Sequence, residues 1–110
     1  MTKTKLLTRV EELILLAVWQ LDEQAYSKQL REHICKISLE DWSIGSIYMP
    51  LERLEKRGLL TSSLSKHTPE RGGRQKRIYK LTRSGKVALN HLREIQTALW
   101  KTMPEDLLAE

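Results

Sequence analysis

Apolar residues at helical spacing mark the first two helices of the chain. Thr8 begins a capping box, because Glu11 lies three positions later, and the apolar stripe after it consists of Val10, Leu13, Ile14, Ala17, Val18 and Leu21. This pattern predicts a helix over residues 9–21, preceded by a loose N-terminal arm. Ser27 is a good N-cap for a shorter second helix over residues 28–36.

A third helix is predicted over residues 44–57. Ser43 is its expected N-cap, Gly58 is its expected stop, and its apolar stripe consists of Ile44, Ile47, Tyr48, Leu51 and Leu54. Pro50 falls inside this helix, where it cannot donate a hydrogen bond to the carbonyl of Ser46 and crowds that carbonyl. We therefore expect a kink or an irregular first turn.

After the third helix, the spacing of apolar residues changes from helical to alternating. Side chains alternate in this way at two places, which predicts two strands. The residues on one face are Leu60, Ser62 and Leu64 in the first strand, and Tyr79 and Leu81 in the second. The turn residues between them, 67–74, are too many for a two-residue hairpin loop, so we expect a long basic tip. Thr82 then caps a last helix over residues 83–101.

Three short helices followed by a two-stranded hairpin is the order of elements in a winged helix-turn-helix. The predicted fold class is mainly α with a small β-hairpin. Residues 1–82 would form the DNA-binding domain with its N-terminal arm, and residues 83–110 a dimerisation helix with a tail. In this fold the third helix enters the major groove of DNA, and the hairpin, called the wing, reaches the backbone.

The net charge of +5 is concentrated in one segment of the 110 residues. Residues 66–86 contain eight basic residues and one acid, whereas the rest of the chain has a net charge of −2. A basic patch of this kind is typical of a surface for nucleic acid, although a charge run is more often merely a solvated face. The longest apolar run, residues 13–19, is too short to cross a membrane, so we expect a cytoplasmic protein.

Serine hydroxyls and basic side chains supply the candidate contacts with double-stranded DNA. Both groups can bind phosphates or base edges, and the outward N-terminal end of the third helix lacks acids. The candidates are Ser43, Ser46 and Arg53 in the third helix, and Arg71, Arg74 and Lys76 in the wing. The alternative is that Ser43 is only a cap and Arg53 only a solvated charge.

The last helix carries an apolar seam at alternating four- and three-residue steps. The seam consists of Ala88, Leu92, Ile95 and Leu99. Two helices bury a seam of this kind together, and a domain of about eighty residues has little core left to cover a helix about 28 Å long. We therefore predict a homodimer. The alternative is a monomer in which this helix folds back on the first one.

Residues for catalysis or metal binding are not arranged for either purpose. His33 and Cys35 lie two positions apart on a helix and so face different sides, and neither His67 nor His91 has a partner at ligand spacing. The single Cys35 excludes a disulfide scaffold and is interpreted as a small apolar filler. We expect no enzyme, no metal site and no cofactor.

Taken together, three segments resemble the PadR-type transcriptional regulators. They are EELILLAVWQLDEQAYSKQLRE, SIGSIYMPLERLEKRGLL and TPERGGRQKRIYKLTRSGKVAL, and the resemblance runs from about Glu12 to Leu92. It implies a dimeric bacterial repressor with a winged helix-turn-helix. The short region after the wing resembles the smaller subfamily, which keeps one C-terminal helix. Where many relatives have Tyr-Pro in the third helix, this chain has Tyr48-Met49-Pro50.

The resemblance also suggests roles for two aromatic residues. It implies that Tyr48 touches DNA. The spacing of Tyr48 from Ile44 and Leu51 also fits a partly buried ring with only its hydroxyl exposed, and we expect both together. Trp100 lies beside the seam, so two such rings in a dimer could flank a gap for a planar hydrophobic effector. The alternative is that Trp100 merely covers Leu6, Leu7 or Val10 of the partner subunit.

The expected function is therefore a homodimeric, sequence-specific DNA-binding repressor that a small-molecule or stress signal releases from its operator. A winged-helix adaptor for protein interactions, without specific DNA binding, is the alternative, because the fold alone does not determine function. A nonspecific or RNA-binding winged domain is a third possibility.

Overall fold

Four α-helices and a two-stranded antiparallel sheet make up the described part of the chain. The computed structural model describes residues 5–65 and 76–109. Its main elements are α1 (Arg9–Leu21), α2 (Ser27–Ser38), α3 (Ile44–Lys56), β1 (Leu60–Leu64), β2 (Arg77–Leu81) and α4 (Arg83–Trp100). Short 3-10 helices, Asp22–Gln24 and Leu107–Ala109, follow α1 and α4. The predicted fold class, a mainly α winged helix-turn-helix with a small hairpin, is confirmed.

Three of the helices begin at the caps that the sequence predicts. A side-chain oxygen at each start accepts a hydrogen bond from a backbone N–H that would otherwise lack a partner inside the helix. The bonds are Glu11 N to Thr8 Oγ1 at 3.1 Å, Ser46 N to Ser43 Oγ at 3.1 Å, and Gly85 N to Thr82 Oγ1 at 3.0 Å. Glu11 Oε1 also accepts from the N–H of Thr8 at 2.8 Å, which completes the capping box.

The predictions for α2 and for the N-terminal arm were wrong in detail. Ser27 is the first residue of α2 rather than its cap, and Tyr26 before it makes no capping hydrogen bond through its side chain. The helix also runs two residues further than predicted, to Ser38. Leu7 is only 7% exposed and belongs to the core, so the end of the arm next to α1 is anchored rather than loose.

The core lies where α1 meets α2, α3 and the hairpin. Its fully buried side chains are Ile14, Leu15, Ala25, Leu30, Ile47, Leu51 and Leu54. Burying one large aliphatic side chain contributes about 1.5–3 kcal/mol, so these residues dominate the stability of the domain. At the edge of the core, Arg57 Nη1 donates to Glu11 Oε2 at 2.8 Å and ties the end of α3 to the start of α1.

The structure corrects the apolar stripe of α3. Ile47, Leu51 and Leu54 are buried as predicted, but Pro50 is buried with them, while Ile44 and Tyr48 are 53% and 46% exposed. At 100° per residue, the two exposed positions lie at the edge of the buried side and turn away from it. The expected irregular first turn is absent, because the helix is α-helical from Ile44 through Pro50.

The base of the wing is fixed on the core. The strands pair with Leu60 opposite Leu81, Ser62 opposite Tyr79, and Leu64 opposite Arg77. Successive side chains alternate between faces, so these six share the face that carries the buried Leu60 and Tyr79. The N–H of Tyr79 also donates to the carbonyl of Ala25 at 2.8 Å, which attaches β2 to the segment before α2.

Candidate nucleic-acid interface

The first turns of α3 present hydroxyl groups to the surface. Ser43, Ser46 and Met49 are all exposed, and the first turn contains no acid. The oxygens of Ser43 and Ser46 lie 2.6 Å apart and share a hydrogen bond, so Ser43 is occupied as the cap and Ser46 extends the polar surface outward. Arg53, two turns further along, is exposed too. Hydroxyls beside the free N–H groups of a helix N-terminus form a surface that suits phosphate oxygens.

Tyr48 lies on this exposed surface rather than in the core. At 46% exposure its ring is accessible, which departs from the expectation of a partly buried ring with only its hydroxyl outside. A hydrogen bond to the carboxylate of Glu52 raises the pKa of Tyr48 above its ordinary value, while the positive charge of Arg77 acts in the opposite direction. Tyr48 therefore connects the outer face of α3 electrostatically with the wing.

The described part of the wing places two basic residues in different surroundings. Lys76 Nζ lies 3.2 Å from the hydroxyl of Tyr26 and 4.3 Å from the centre of its ring, and this contact lowers the pKa of Tyr26. Arg77, which belongs to the basic segment 66–86, lies on the same face of the hairpin as Tyr79. The predicted contacts Arg71 and Arg74 lie outside the described residues.

The seam of α4 is buried in this chain's own core at one end and exposed at the other. Ala88 is 7% exposed and packs into this chain's own core, and Leu92 is partly buried against the same core. Ile95 is half-buried, whereas Leu99 is 71% exposed. The first half of the seam therefore stabilises the fold of the single chain, and the second half leaves apolar surface uncovered.

Between α1 and α4 the surface forms an apolar groove of about 460 Å³. Its apolar lining consists of Leu16, Trp19, Leu81 and Leu89, and its polar lining of Glu12, Lys86, Asn90, Arg93 and Gln96. The Lys86 ammonium lies 5.4 Å from the centre of the Trp19 ring, within the range of a cation–π contact.

Trp19, not Trp100, is the aromatic residue of this groove. Trp100 lines a separate, more open depression that also borders Arg9, Arg93 and Lys101. The predicted Trp100 site lies in a gap between two subunits, so it stays a prediction. The sequence analysis missed Trp19, whose signal was its position three residues after Leu16, which puts both residues on one side of α1.

Residues 5–65 and 76–109 contain neither a cluster of metal ligands nor a membrane-spanning helix. No three histidine, cysteine or acidic side chains lie close enough together there to hold a metal ion. Nor is any helix in that part of the chain long and apolar enough to span a bilayer.

The arrangement of α3 and the wing defines the class of protein. A helix with an exposed outer face packs beside an antiparallel hairpin, and a longer helix follows, which together form a winged helix-turn-helix regulator. The model of the transcriptional regulator PadR-like family matches residues 15–91, more than half of the chain. The chain belongs to this PadR-like family of transcriptional regulators, as the resemblance implied.

Solved structures are similar to the chain over most of its length. A PadR-like transcriptional regulator from Bacillus cereus has a TM-score of 0.73 at 26% identity, covering 92% of this chain and 93% of that one. A PadR family regulator from Clostridium difficile has a TM-score of 0.66 at 26% identity, with coverages of 87% and 95%. RosR from H. salinarum, at 21% identity, TM-score 0.69 and coverages of 90% and 82%, shows a shared fold alone. Among curated proteins, no sequence matches this chain.

Proposed function

We propose that the protein is a homodimeric, sequence-specific DNA-binding repressor of its family. The observation that carries this proposal is the exposed N-terminal end of α3, whose first turn contains no acid and which presents Ser43, Ser46 and Tyr48 beside a basic wing. In such proteins the recognition helix reads base edges while the wing neutralises phosphates. Its site of action is then the cytoplasm, where a bacterial operator lies.

Binding to DNA from the protein's own promoter region tests this function. A specific regulator retains the promoter fragment in the presence of excess random duplex, whereas a nonspecific winged domain loses it to the competitor. An adaptor for protein interactions binds neither DNA. RNA competitor of matched length separates a preference for RNA from a preference for DNA.

The contribution of the wing has a quantitative signature. Each phosphate contact lowers the slope of log K against log salt by about 0.9, so replacing Arg71, Arg74 and Lys76 together by alanine flattens the slope by about 2.7 and weakens binding to every sequence. Triple replacement of Lys28, Lys36 and Lys101, which lie outside the wing, is the matched loss of charge. An equal change of slope in both variants would indicate bulk charge rather than a wing contact.

The proposed effector is a planar aromatic compound that binds the groove between α1 and α4. Trp19 offers a flat apolar wall, and the ionised lining contains two bases, Lys86 and Arg93, against one acid, Glu12. This balance favours an uncharged or anionic ring system over a cation. If a ligand in the groove shifts α4 against α1, the two winged domains of a dimer change their spacing, and by reciprocity DNA binding weakens ligand binding equally.

Titration with anilinonaphthalene sulfonate, an aromatic anion, tests the groove. We expect saturable binding that Trp19→Ala abolishes and Trp100→Ala preserves. Each variant is first shown to keep the helical circular dichroism of the wild type. Loss of binding in Trp100→Ala alone would place the binding site at Trp100 instead. Non-saturating binding would contradict a specific effector site in the groove.

A further inference from the structure

A relay of three polar side chains joins α3 to both strands of the wing. On β1, the hydroxyl of Ser62 donates to Oε2 of the half-buried Glu55 of α3 at 2.5 Å. On β2, Nη1 of Arg77 donates to the same Ser62 oxygen at 2.9 Å. The acid, the hydroxyl and the guanidinium therefore form one continuous set of hydrogen bonds across the junction between the recognition helix and the wing.

Strand register explains why these side chains meet. Ser62 faces Tyr79 across the sheet, and Arg77 lies two residues before Tyr79, on the same face of β2. Because Tyr79 is buried against the core, this face turns toward the body of the domain and the adjoining α3. Lys80, the next residue, lies on the opposite face and is exposed there.

The relay uses only a small part of the hydrogen-bonding capacity of Arg77. A guanidinium carries five N–H donors, and Ser62 receives a bond from one of its nitrogens. Arg77 itself remains exposed. The positive charge of Arg77 also acts to lower the pKa of the exposed Tyr48 of α3.

We propose that Arg77 binds a DNA phosphate in the notch between α3 and the wing, and that Glu55 and Ser62 are positioning residues that direct its guanidinium. The proposal rests on the proposed function and assigns one contact within it. A guanidinium held by a relay has lost part of its side-chain freedom before DNA arrives, so less entropy is lost on binding. The charge on Glu55, which would otherwise repel a phosphate, is compensated through the relay by Arg77.

The phosphate contact is tested by comparing Arg77→Ala with Lys80→Ala. Both changes remove one positive charge from β2, but on opposite faces of the hairpin. We expect Arg77→Ala to weaken binding about tenfold on operator and random duplex alike, and to flatten the slope of log K against log salt by about 0.9. Lys80→Ala should leave the slope within error of the wild type. A slope change shared equally by both variants contradicts the contact, and a changed base preference in Arg77→Ala contradicts its assignment to phosphate.

The positioning roles are tested by variants that keep or remove the relay. If Glu55 acts only through its charge, Glu55→Gln and Glu55→Ala both remove repulsion and both bind DNA more tightly. If it positions Arg77, Glu55→Ala binds less tightly than Glu55→Gln, because the glutamine oxygen still accepts from Ser62. Likewise, Ser62→Ala should weaken binding about threefold while Ser62→Thr restores it, since a threonine keeps the hydroxyl and suits a strand.

A double-mutant cycle distinguishes positioning from damage to the fold. In an Arg77→Ala background, the difference between Glu55→Ala and Glu55→Gln should vanish, and Ser62→Ala should have no further effect on affinity. Thermal unfolding shows which variants are folded at the assay temperature. Effects that persist without Arg77 would contradict the positioning role.

The outcomes separate this inference from the proposed function. A wild type that binds duplex DNA but selects no operator contradicts sequence-specific repression, yet the salt slope of Arg77→Ala still decides the phosphate contact. A selective wild type whose slope is unchanged in Arg77→Ala contradicts the inference alone. A wild type that binds no DNA contradicts both.

Discussion

Gly85 occupies a position where the backbone of α4 meets the loop before β1. A Cβ atom built on this glycine would overlap the carbonyl oxygen of Leu59. The same carbonyl accepts from the N–H of Thr82 at 3.2 Å, and the hydroxyl of Thr82 donates to the carbonyl of Gly58 at 2.6 Å. The close approach therefore belongs to the joint that sets the direction of α4.

Replacing this glycine by alanine should destabilise the protein. The added methyl group forces α4 away from the loop, and overpacking of this kind costs about 1–3 kcal/mol. Urea unfolding of Gly85→Ala measures the loss. Ser84→Ala is the control, because Ser84 is exposed in the same turn. Equal stability of the two variants would mean that the loop yields freely to the methyl group.

Tyr79 makes the stability of the fold sensitive to alkaline pH. Burial, and then the nearby charge of Glu55, raise its pKa above the ordinary value of 10.0. The folded protein thus holds the phenolic proton more tightly than the unfolded chain does. Its contribution is complete below about pH 10 and is lost as the pH rises from there through the raised pKa of the folded state.

We expect Tyr79→Phe to reduce this dependence. The phenylalanine cannot ionise, so the free energy of unfolding should fall less steeply above pH 10 than in the wild type. Urea unfolding at several pH values between 8 and 11 provides the comparison. Parallel pH curves for the two proteins would assign the alkaline loss to other groups.

At the scale of the element, α3 combines a cap, a buried side and an exposed outer surface. Ser43 serves the cap, whereas Ser46 and Arg53 project from the surface. These roles predict different consequences. Ser43→Ala should lower the free energy of unfolding by about 1 kcal/mol, because one N–H at the start of the helix loses its partner. Urea unfolding against Ser46→Ala checks it, and equal losses would mean that the cap is not specific to Ser43.

Base preference, not stability, is the property that Ser46 and Arg53 should determine. If their side chains reach base edges, Ser46→Ala and Arg53→Ala change the preferred operator sequence, since phosphate contacts carry no sequence information directly. Selection from a randomised duplex library measures that preference for each variant beside the wild type. A uniform loss across all sequences would instead assign both side chains to the DNA backbone.

For the whole molecule, the main feature is the apolar end of α4, which the other described residues of the chain do not cover. Leu99 and Trp100 are 71% and 60% exposed on the last turn of an 18-residue helix. Exposed apolar residues that lie next to each other often mark a surface that binds another molecule. A second copy of the chain would cover them and set two α3 helices for half-sites about 34–36 Å apart.

Leu99→Asp should separate the subunits. A charge placed on a surface buried between two chains is costly to desolvate and has no partner there. Sedimentation at micromolar concentration should show monomers that keep their helical content and lose operator affinity. Ser84→Asp, at the exposed other end of α4, adds the same charge and should remain dimeric. A dimer that survives Leu99→Asp would place the interface elsewhere.

Local interactions explain what could be predicted at each scale. The starts of α1, α3 and α4 follow from hydrogen bonds that span three residues, as at Ser43, and so they can be read directly from the sequence. The hairpin and the order of elements follow from periodicity, which also led to the fold class. Only α2, whose first turn has no side-chain cap, was misplaced at both ends.

The amino-acid sequence by itself determined the helices, the wing, the family and the concentration of positive charge. The tertiary structure alone decided which faces meet: it buried Ala88 in its own chain, turned Tyr48 outward, lined the groove with Trp19 and linked Arg77 to Glu55 through Ser62. Periodicity defines an apolar side of a helix but not what covers it. Contacts between residues far apart in the chain depend on how several elements pack at once, and no local pattern encodes that arrangement.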